Sequence, residues 1–332
     1  MKILYLTPDI NPKSGWGRYA SDLIYGVKTR GCATTALAVE GGAKGFLRAL
    51  VYARNHIGDF DIIHALDVYP YGIIAYFARM FSSKKFVITA QGTYAVEPLY
   101  RWKTAPLSKL ACKSANAVIA ISNFTKEELL KKVKLKNIEV INHGVDPALF
   151  YIEHLPGEEK FILSVGALKY RKGYHISIPA FALVIKNFPT LKYKIVGSQS
   201  DTVYFNELKG LAIKYGVSSN LEFLNEISDA ELLGLYRKAQ LFVLTSLNID
   251  HNFEGFGLVF LEAAAAGLPV IGTLGSGIED AVKNDYNGIL VMQNDIAATA
   301  GAISTVLGSN KKWQDMSENS HEWARAHPLE KT

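Results

Sequence analysis

Cysteine is scarce in this chain of 332 residues: Cys32 and Cys112 form no metal or redox motif and read as buried thiols of a reducing cytoplasm. No run of about 18 apolar residues occurs, which excludes a membrane-spanning helix. Met1-Lys2 leads straight into the apolar stretch Ile3–Leu6, without the h-region or cleavage site of a secretory signal. The eight histidines are scattered, and no Asp-x-Asp pair stands at a strand end where it could hold a divalent ion against a diphosphate. No metal is therefore expected. Repeats of 20–50 residues and low-complexity segments are missing, as is a basic stripe with interleaved aromatics, so solenoids and nucleic-acid binding are not indicated.

What is present is an ordinary globular composition, 49% hydrophobic and 20% charged. The length exceeds one ordinary core and predicts two domains of about 150 residues. The net charge of +5 divides unevenly. Residues 1–150 hold 20 Lys and Arg against 11 Asp and Glu, while residues 151–332 hold 16 against 20, so +9 and −4 sum to +5. A basic first half suits an anionic partner, either a phosphorylated acceptor or a membrane surface; a merely solvated Lys-rich face accounts for it equally well.

Short apolar runs alternate with amphipathic stretches, the rhythm of a parallel sheet with helical crossovers. Strands are expected at 2–7, 35–39, 62–65, 86–89, 117–121 and 139–141. Helical patterns cover 17–29, 71–81 and 126–133. The rhythm restarts with strands at 161–165, 193–196, 221–223, 241–244, 270–272 and 288–291, and helices at 175–187, 205–215, 229–239 and 257–266. Between the halves, the polar stretch from Asp146 to Glu159 with Pro147 and Pro156 reads as an interdomain linker. The expected class is α/β, with two Rossmann-like doubly wound domains, 1–150 and 151–332, facing a central cleft.

The sharpest chemical signal is Glu254-Gly255-Phe256-Gly257-Leu258-Val259-Phe260-Leu261-Glu262. Two glycines permit a tight turn, and a helix opening near Gly257 aims free N–H groups at a ligand. Glu254 precedes that opening and Glu262 lies about one and a half turns inside, a separation suited to a sugar and a ribose joined by a diphosphate. By spacing alone, Glu262 reads equally as a surface or capping residue of a plain βα unit.

The segment resembles the Glu-x7-Glu motif of the retaining glycosyltransferases of family 4, the glycosyl transferases group 1, which have the GT-B fold. Leu241–Ser246 ahead of it, and Gly267–Ile271, Gly275–Glu279 and Gly288–Val291 behind it, match the same family in order. Ile195-Val196-Gly197, Phe223-Leu224 and Tyr236 fit upstream. The resemblance implies a hexosyltransferase that uses a nucleotide-diphosphate sugar (UDP- or GDP-linked) as donor, a glycan or lipid-linked hydroxyl as acceptor, no cofactor, and retention of anomeric configuration. It implies that Glu254 binds donor sugar hydroxyls, that Glu262 holds the ribose, and that Phe256, Gly257 and Leu258 face sugar and phosphates through their N–H groups. Gly197 and Phe223 belong to the same donor set.

Lys172, beside Arg171 and Gly173 after the strand 161–165, matches the family's lysine, whose charge offsets that of the leaving diphosphate. The usual arginine near this loop is replaced by Ala167, so Arg171 is the candidate second cation. In the first half, Ser14–Tyr19 resembles the family's Gly-rich loop, which implies that Gly15 and Gly17 lie near the diphosphate and the acceptor; Arg18 is either an acceptor-side cation facing the cleft or a helix-surface cation. Gln91-Gly92 stands where many relatives carry His-Gly; its neutral amide can orient a hydroxyl but cannot take a proton. His64, at another strand end, is either an acceptor-side residue or a satisfied core histidine. His143–Asp146 matches the family's turn at the domain join. The segment Glu322–Thr332 resembles the start of a terminal helical region that continues in relatives, so the chain reads as naturally short or truncated there. Location in the cytoplasm, peripheral at the inner membrane face, is the corresponding expectation. A nucleotide-sugar epimerase and a non-catalytic nucleotide-sugar or glycan binder of the same fold are the alternatives; a glycogen-type phosphorylase is disfavoured by the missing pyridoxal-phosphate lysine motif.

Overall fold

The computed structural model describes residues 1–11, 15–146, 154–155 and 157–331. The chain divides into two compact units, Met1–His143 with Leu329–Thr332, and Gly144–Pro328. The expected linker lies largely outside the described residues, and Ser14 does so entirely.

Unit one carries six parallel strands: β1 (Lys2–Thr7), β2 (Ala33–Ala38), β3 (Ile62–Ala65), β4 (Lys85–Ala90), β5 (Ala117–Ala120) and β6 (Ile138–Val140), in the spatial order β2-β1-β3-β4-β5-β6. Unit two carries β7 (Phe161–Val165), β8 (Lys192–Val196), β9 (Leu221–Leu224), β10 (Leu241–Val243), β11 (Val270–Thr273) and β12 (Gly288–Val291), in the order β12-β11-β10-β7-β8-β9. Both sheets are doubly wound, and the α/β class expected from the sequence holds. Strands covered by helices on both faces must be apolar throughout. Leu4, Tyr5 and Leu6 in β1, and Leu241, Phe242 and Val243 in β10, are accordingly buried without alternation.

The helix starts follow local capping chemistry. Ser228 accepts from the Glu231 N–H while the Glu231 carboxylate accepts from the Ser228 N–H, a capping box that opens helix Asp229–Lys238. Asp201 caps helix Thr202–Lys214 through the Tyr204 N–H. Ser122 does the same at Thr125, so that helix occupies Asn123–Leu130, three residues earlier than periodicity suggested. Helix Ile73–Arg79 is also shorter than expected, because a wide turn at Val68–Gly72 precedes it.

In each sheet the chain winds outward on one side and then returns to the other. The reversal lies between β1 and β3 in unit one and between β7 and β10 in unit two. Loops leaving the carboxyl ends of those paired strands diverge, and open α/β sheets bind ligands there.

Candidate active site

In unit two the reversal brings together residues far apart in sequence. Strand β7 runs into the turn Tyr170–Lys172, closed by Gly173 in a left-handed conformation at φ 71°. That turn is stitched to the segment after β10. The Thr245 hydroxyl donates to the Gly173 carbonyl at 2.7 Å, and the Leu247 N–H donates to the Arg171 carbonyl at 2.7 Å. A Cβ on Gly173 would overlap the Thr245 carbonyl, so close approach and positive φ both demand glycine.

This stitching aims two cations at one carboxylate. Lys172 Nζ lies 2.6 Å from Glu254 Oε2, and Arg171 Nη1 lies 3.2 Å from the same oxygen. The Ser246 hydroxyl donates to it at 3.3 Å. The Lys172 and Glu254 side chains are each only 13% exposed, whereas Arg171 is 28% exposed. Burial by itself would push the Glu254 carboxyl up, yet the Lys172 and Arg171 charges prevail and hold it down at about 2. Glu254 is thus an anion at neutral pH. Burial draws Lys172 below the usual lysine range, against the pull of Glu254.

The Glu254 backbone is fixed from the other side. The Gly277 N–H donates to the Glu254 carbonyl at 2.9 Å, and a Cβ on Gly277 would overlap the Gly255 carbonyl. Phe256 is buried and Gly257, at φ 85°, caps helix Leu258–Ala265, with no side chain bonded at its start. Leu258 opens the helix and is half-buried. Glu262 lies inside it, 4% exposed, and accepts a hydrogen bond of 3.0 Å from the Tyr236 hydroxyl. It is therefore no plain surface residue. Gly197 directly follows β8 and its N–H donates to the Leu224 carbonyl at 2.9 Å, while Phe223 on the edge strand β9 meets Phe205 edge to face at 5.3 Å.

The first unit places its expected residues around its own reversal. Gly15 and Gly17 lie in the first turn of helix Gly15–Thr29, Gly17 buried and Arg18 half-buried. His64 on β3 is buried, with its Nε2 2.8 Å from the Thr89 hydroxyl and its ring 5.2 Å from that of Tyr5. Burial lowers it to about 4, so it is neutral at pH 7. Gln91 and the buried Gly92 follow β4. Asp67, just beyond β3, is fully buried, and Val68 donates its N–H to one carboxyl oxygen at 2.7 Å. Burial holds this carboxyl well above its ordinary range, against the N–H groups of Val68 and Gln91 that pull it down.

Sequence reading missed the contacts of Ser246 with Glu254 and of Tyr236 with Glu262, since neither spacing carries them. It also missed Asp67, although an acidic residue two positions past a predicted strand was a usable signal. Among the described residues no group of three or more His, Cys, Asp or Glu side chains gathers as a metal cluster, and no helix is long and apolar enough to cross a membrane.

Comparison with known proteins fits this geometry. The family model described as glycosyl transferases group 1 matches residues 147–323, and that described as glycosyltransferase family 4 matches residues 17–149. The chain is 28% identical over 314 residues to a D-inositol 3-phosphate glycosyltransferase of Corynebacterium urealyticum, covering 85% of this chain and 72% of that protein. In structure it is similar to a sucrose-phosphate synthase from Thermosynechococcus elongatus, with TM-score 0.82, 21% identity and coverage of 98% and 94%. It is likewise similar to Anabaena HepE, solved in complex with UDP and glucose, with TM-score 0.80, 20% identity and coverage of 99% and 95%. These likenesses place the fold in the GT-B group.

Proposed function

The chain belongs to the glycosyl transferases group 1 family, and from that premise we propose that it moves a hexosyl unit from a nucleotide-diphosphate sugar to a hydroxyl of a glycan or lipid-linked acceptor, retaining anomeric configuration. The observation that carries this reading is the convergence of Arg171, Lys172 and Glu254 on the reversal point of the second sheet. HepE binds UDP and glucose, which supports a UDP-sugar as the first donor to test.

In this reading unit two holds the donor and unit one the acceptor. Lys172 and Arg171 exchange part of their contact with Glu254 for the donor diphosphate. Their charges then offset the one that grows on the departing nucleotide, where a preorganised cation acts most strongly. Glu254, already an anion, accepts from sugar hydroxyls, and the start of helix Leu258–Ala265 turns its positive end to the phosphates. Glu262, oriented by Tyr236, accepts from the ribose.

The acceptor oxygen forms the new bond to the anomeric carbon on the face that the phosphate leaves. The bond from that carbon to the phosphate oxygen breaks, and the acceptor proton passes to the departing oxygen. No enzymic base is required, which accommodates a neutral Gln91 where relatives carry histidine. Attraction of the first half of the chain to an anionic membrane surface is part of the proposal only through the net charge of +9 on residues 1–150. Salt-sensitive co-sedimentation with phosphatidylserine vesicles tests it.

The test of function is a melting screen with UDP, GDP, ADP and their sugars, followed by transfer from the stabilising donor to an acceptor panel. A specific donor hit with product formation is expected. Donor binding without transfer or hydrolysis across the panel would favour a non-catalytic binder instead.

A further inference from the structure

Among the described residues of unit one, the buried side-chain atoms without a hydrogen-bond partner include Trp16 Nε1, Asp67 Oδ2 and Gln91 Nε2. They belong to one neighbourhood. The Gln91 backbone N–H donates to the Asp67 carboxyl. The Trp16 ring lies 5.0 Å from that of Tyr94 and 6.4 Å from that of Tyr71. Tyr71 follows Asp67 by four residues in a turn closed by the Gly72 N–H on the Asp67 carbonyl at 3.0 Å. Tyr94 follows Gln91 by three. Trp16, Asp67 and Gln91 follow β1, β3 and β4 respectively, the strands at and beside the reversal point of the first sheet.

Orphaned buried polar atoms are rare, and each costs free energy that something must offset. Three in one neighbourhood imply a missing partner that both donates and accepts. Hydroxyl groups do both: they can accept from the two N–H groups and donate to the carboxyl oxygen. A hydroxyl pairs with the Asp67 carboxyl in either protonation state, whereas a phosphate, which mainly accepts, pairs only with the protonated one. The rings of Trp16 and Tyr94 supply apolar surface of the kind that covers the C–H face of a pyranose.

We propose that Trp16, Asp67 and Gln91 form the acceptor subsite, and that it takes a neutral, polyhydroxylated sugar ring rather than a phosphorylated group. This rests on the glycosyltransferase reading above and deepens its open half. Asp67 is a positioning and specificity residue here: it fixes which hydroxyl is presented.

The experiment is saturation-transfer NMR with methyl glucoside, methyl galactoside, methyl mannoside and glycerol 1-phosphate as probes, on wild type, Trp16→Phe and Asp67→Asn. At least one glycoside should bind wild type, and each substitution should weaken it by about three- to tenfold, the loss of one hydrogen bond. Trp16→Phe keeps an aromatic ring and removes only the N–H donor side, so it stands as a test even where Asp67→Asn folds poorly. Binding of glycerol 1-phosphate alone, of no glycoside, or of glycosides equally by all three proteins would overturn the inference; the last result would mean that the atoms bind water only. Nucleotide-induced stabilisation, measured on the same samples, reads the donor half separately. Its loss would count against the functional proposal and not against this subsite.

Discussion

Glu254 can be removed with almost no change of shape by Glu254→Gln, which makes the consequence calculable. The native carboxyl sits at about 2 against an ordinary 4.5. At about 1.4 kcal/mol per unit, that difference corresponds to roughly 3 kcal/mol of stability at neutral pH. The substitution also leaves Lys172 and Arg171 facing each other in a largely dry setting, and breaking a buried pair costs about 3–5 kcal/mol. For a unit of this size, 3 kcal/mol lowers the melting temperature by about 6–12 °C. Circular dichroism melts at pH 7 measure it. Adding Lys172→Met should restore a good part of the loss, because the orphaned buried cation is then gone. A single variant melting within about 1 °C of wild type, or a double variant melting below the single one, would refute the electrostatic account of the site.

Other expectations are separable from this one. His64 and Glu254 should contribute to the acid response in different ranges. Neutral His64 is held at about 4 against 6.5, so the unfolded state takes its proton first, and unit one loses stability as pH falls from 6.5 towards 4. Glu254 instead costs unit two stability only as pH falls from 4.5 towards 2. His154, His175 and His321 are also drawn down by burial and act in the upper range. In melts across pH, His64→Gln should therefore reduce the loss between pH 6.5 and 4 without abolishing it, and leave the loss below 4.5 unchanged. Gly173→Ala, which forces a Cβ against the Thr245 carbonyl, should cost about 2 kcal/mol or more in urea unfolding and displace Lys172. Tyr236→Phe removes the hydroxyl that orients Glu262; it should cost about 1–3 kcal/mol and raise the KM for donor more than it lowers kcat.

Much of the fold was legible because buried parallel strands leave continuous apolar runs. All twelve expected strands are present, including β1, β3, β7 and β12 with the bounds read from sequence. Strand β2 begins two residues early, at Ala33, because its register is set by pairing Lys2 with Ala33 across the sheet. The helices Gly42–Asn55 and Ala105–Ser114 escaped notice. The glycines of the first, and the proline and short apolar face of the second, mask their period. Helix Ile296–Leu307 follows the last motif-bearing strand, and helix Asn310–Ala326 takes in the beginning of the segment Glu322–Thr332 that resembles a terminal helical region.

At the site, family-like segments singled out Glu254, Arg171 and Lys172 one by one. Their contact spans 82 residues of sequence and depends on the strand order, which no local pattern encodes. The same holds for Trp16 and Asp67, whose orphaned atoms become visible only once the packing around them is known.

The proposed function rests above all on sugar transfer at Glu254. The decisive measurement is proton NMR of the anomeric signal during reaction of a stabilising nucleotide-sugar with an acceptor, for wild type and for Glu254→Gln. Wild type should give a new glycoside with the donor's anomeric configuration, and turnover by the variant should fall by at least about a hundredfold. A product of inverted configuration, or wild-type turnover by a folded Glu254→Gln variant, would contradict the proposed function.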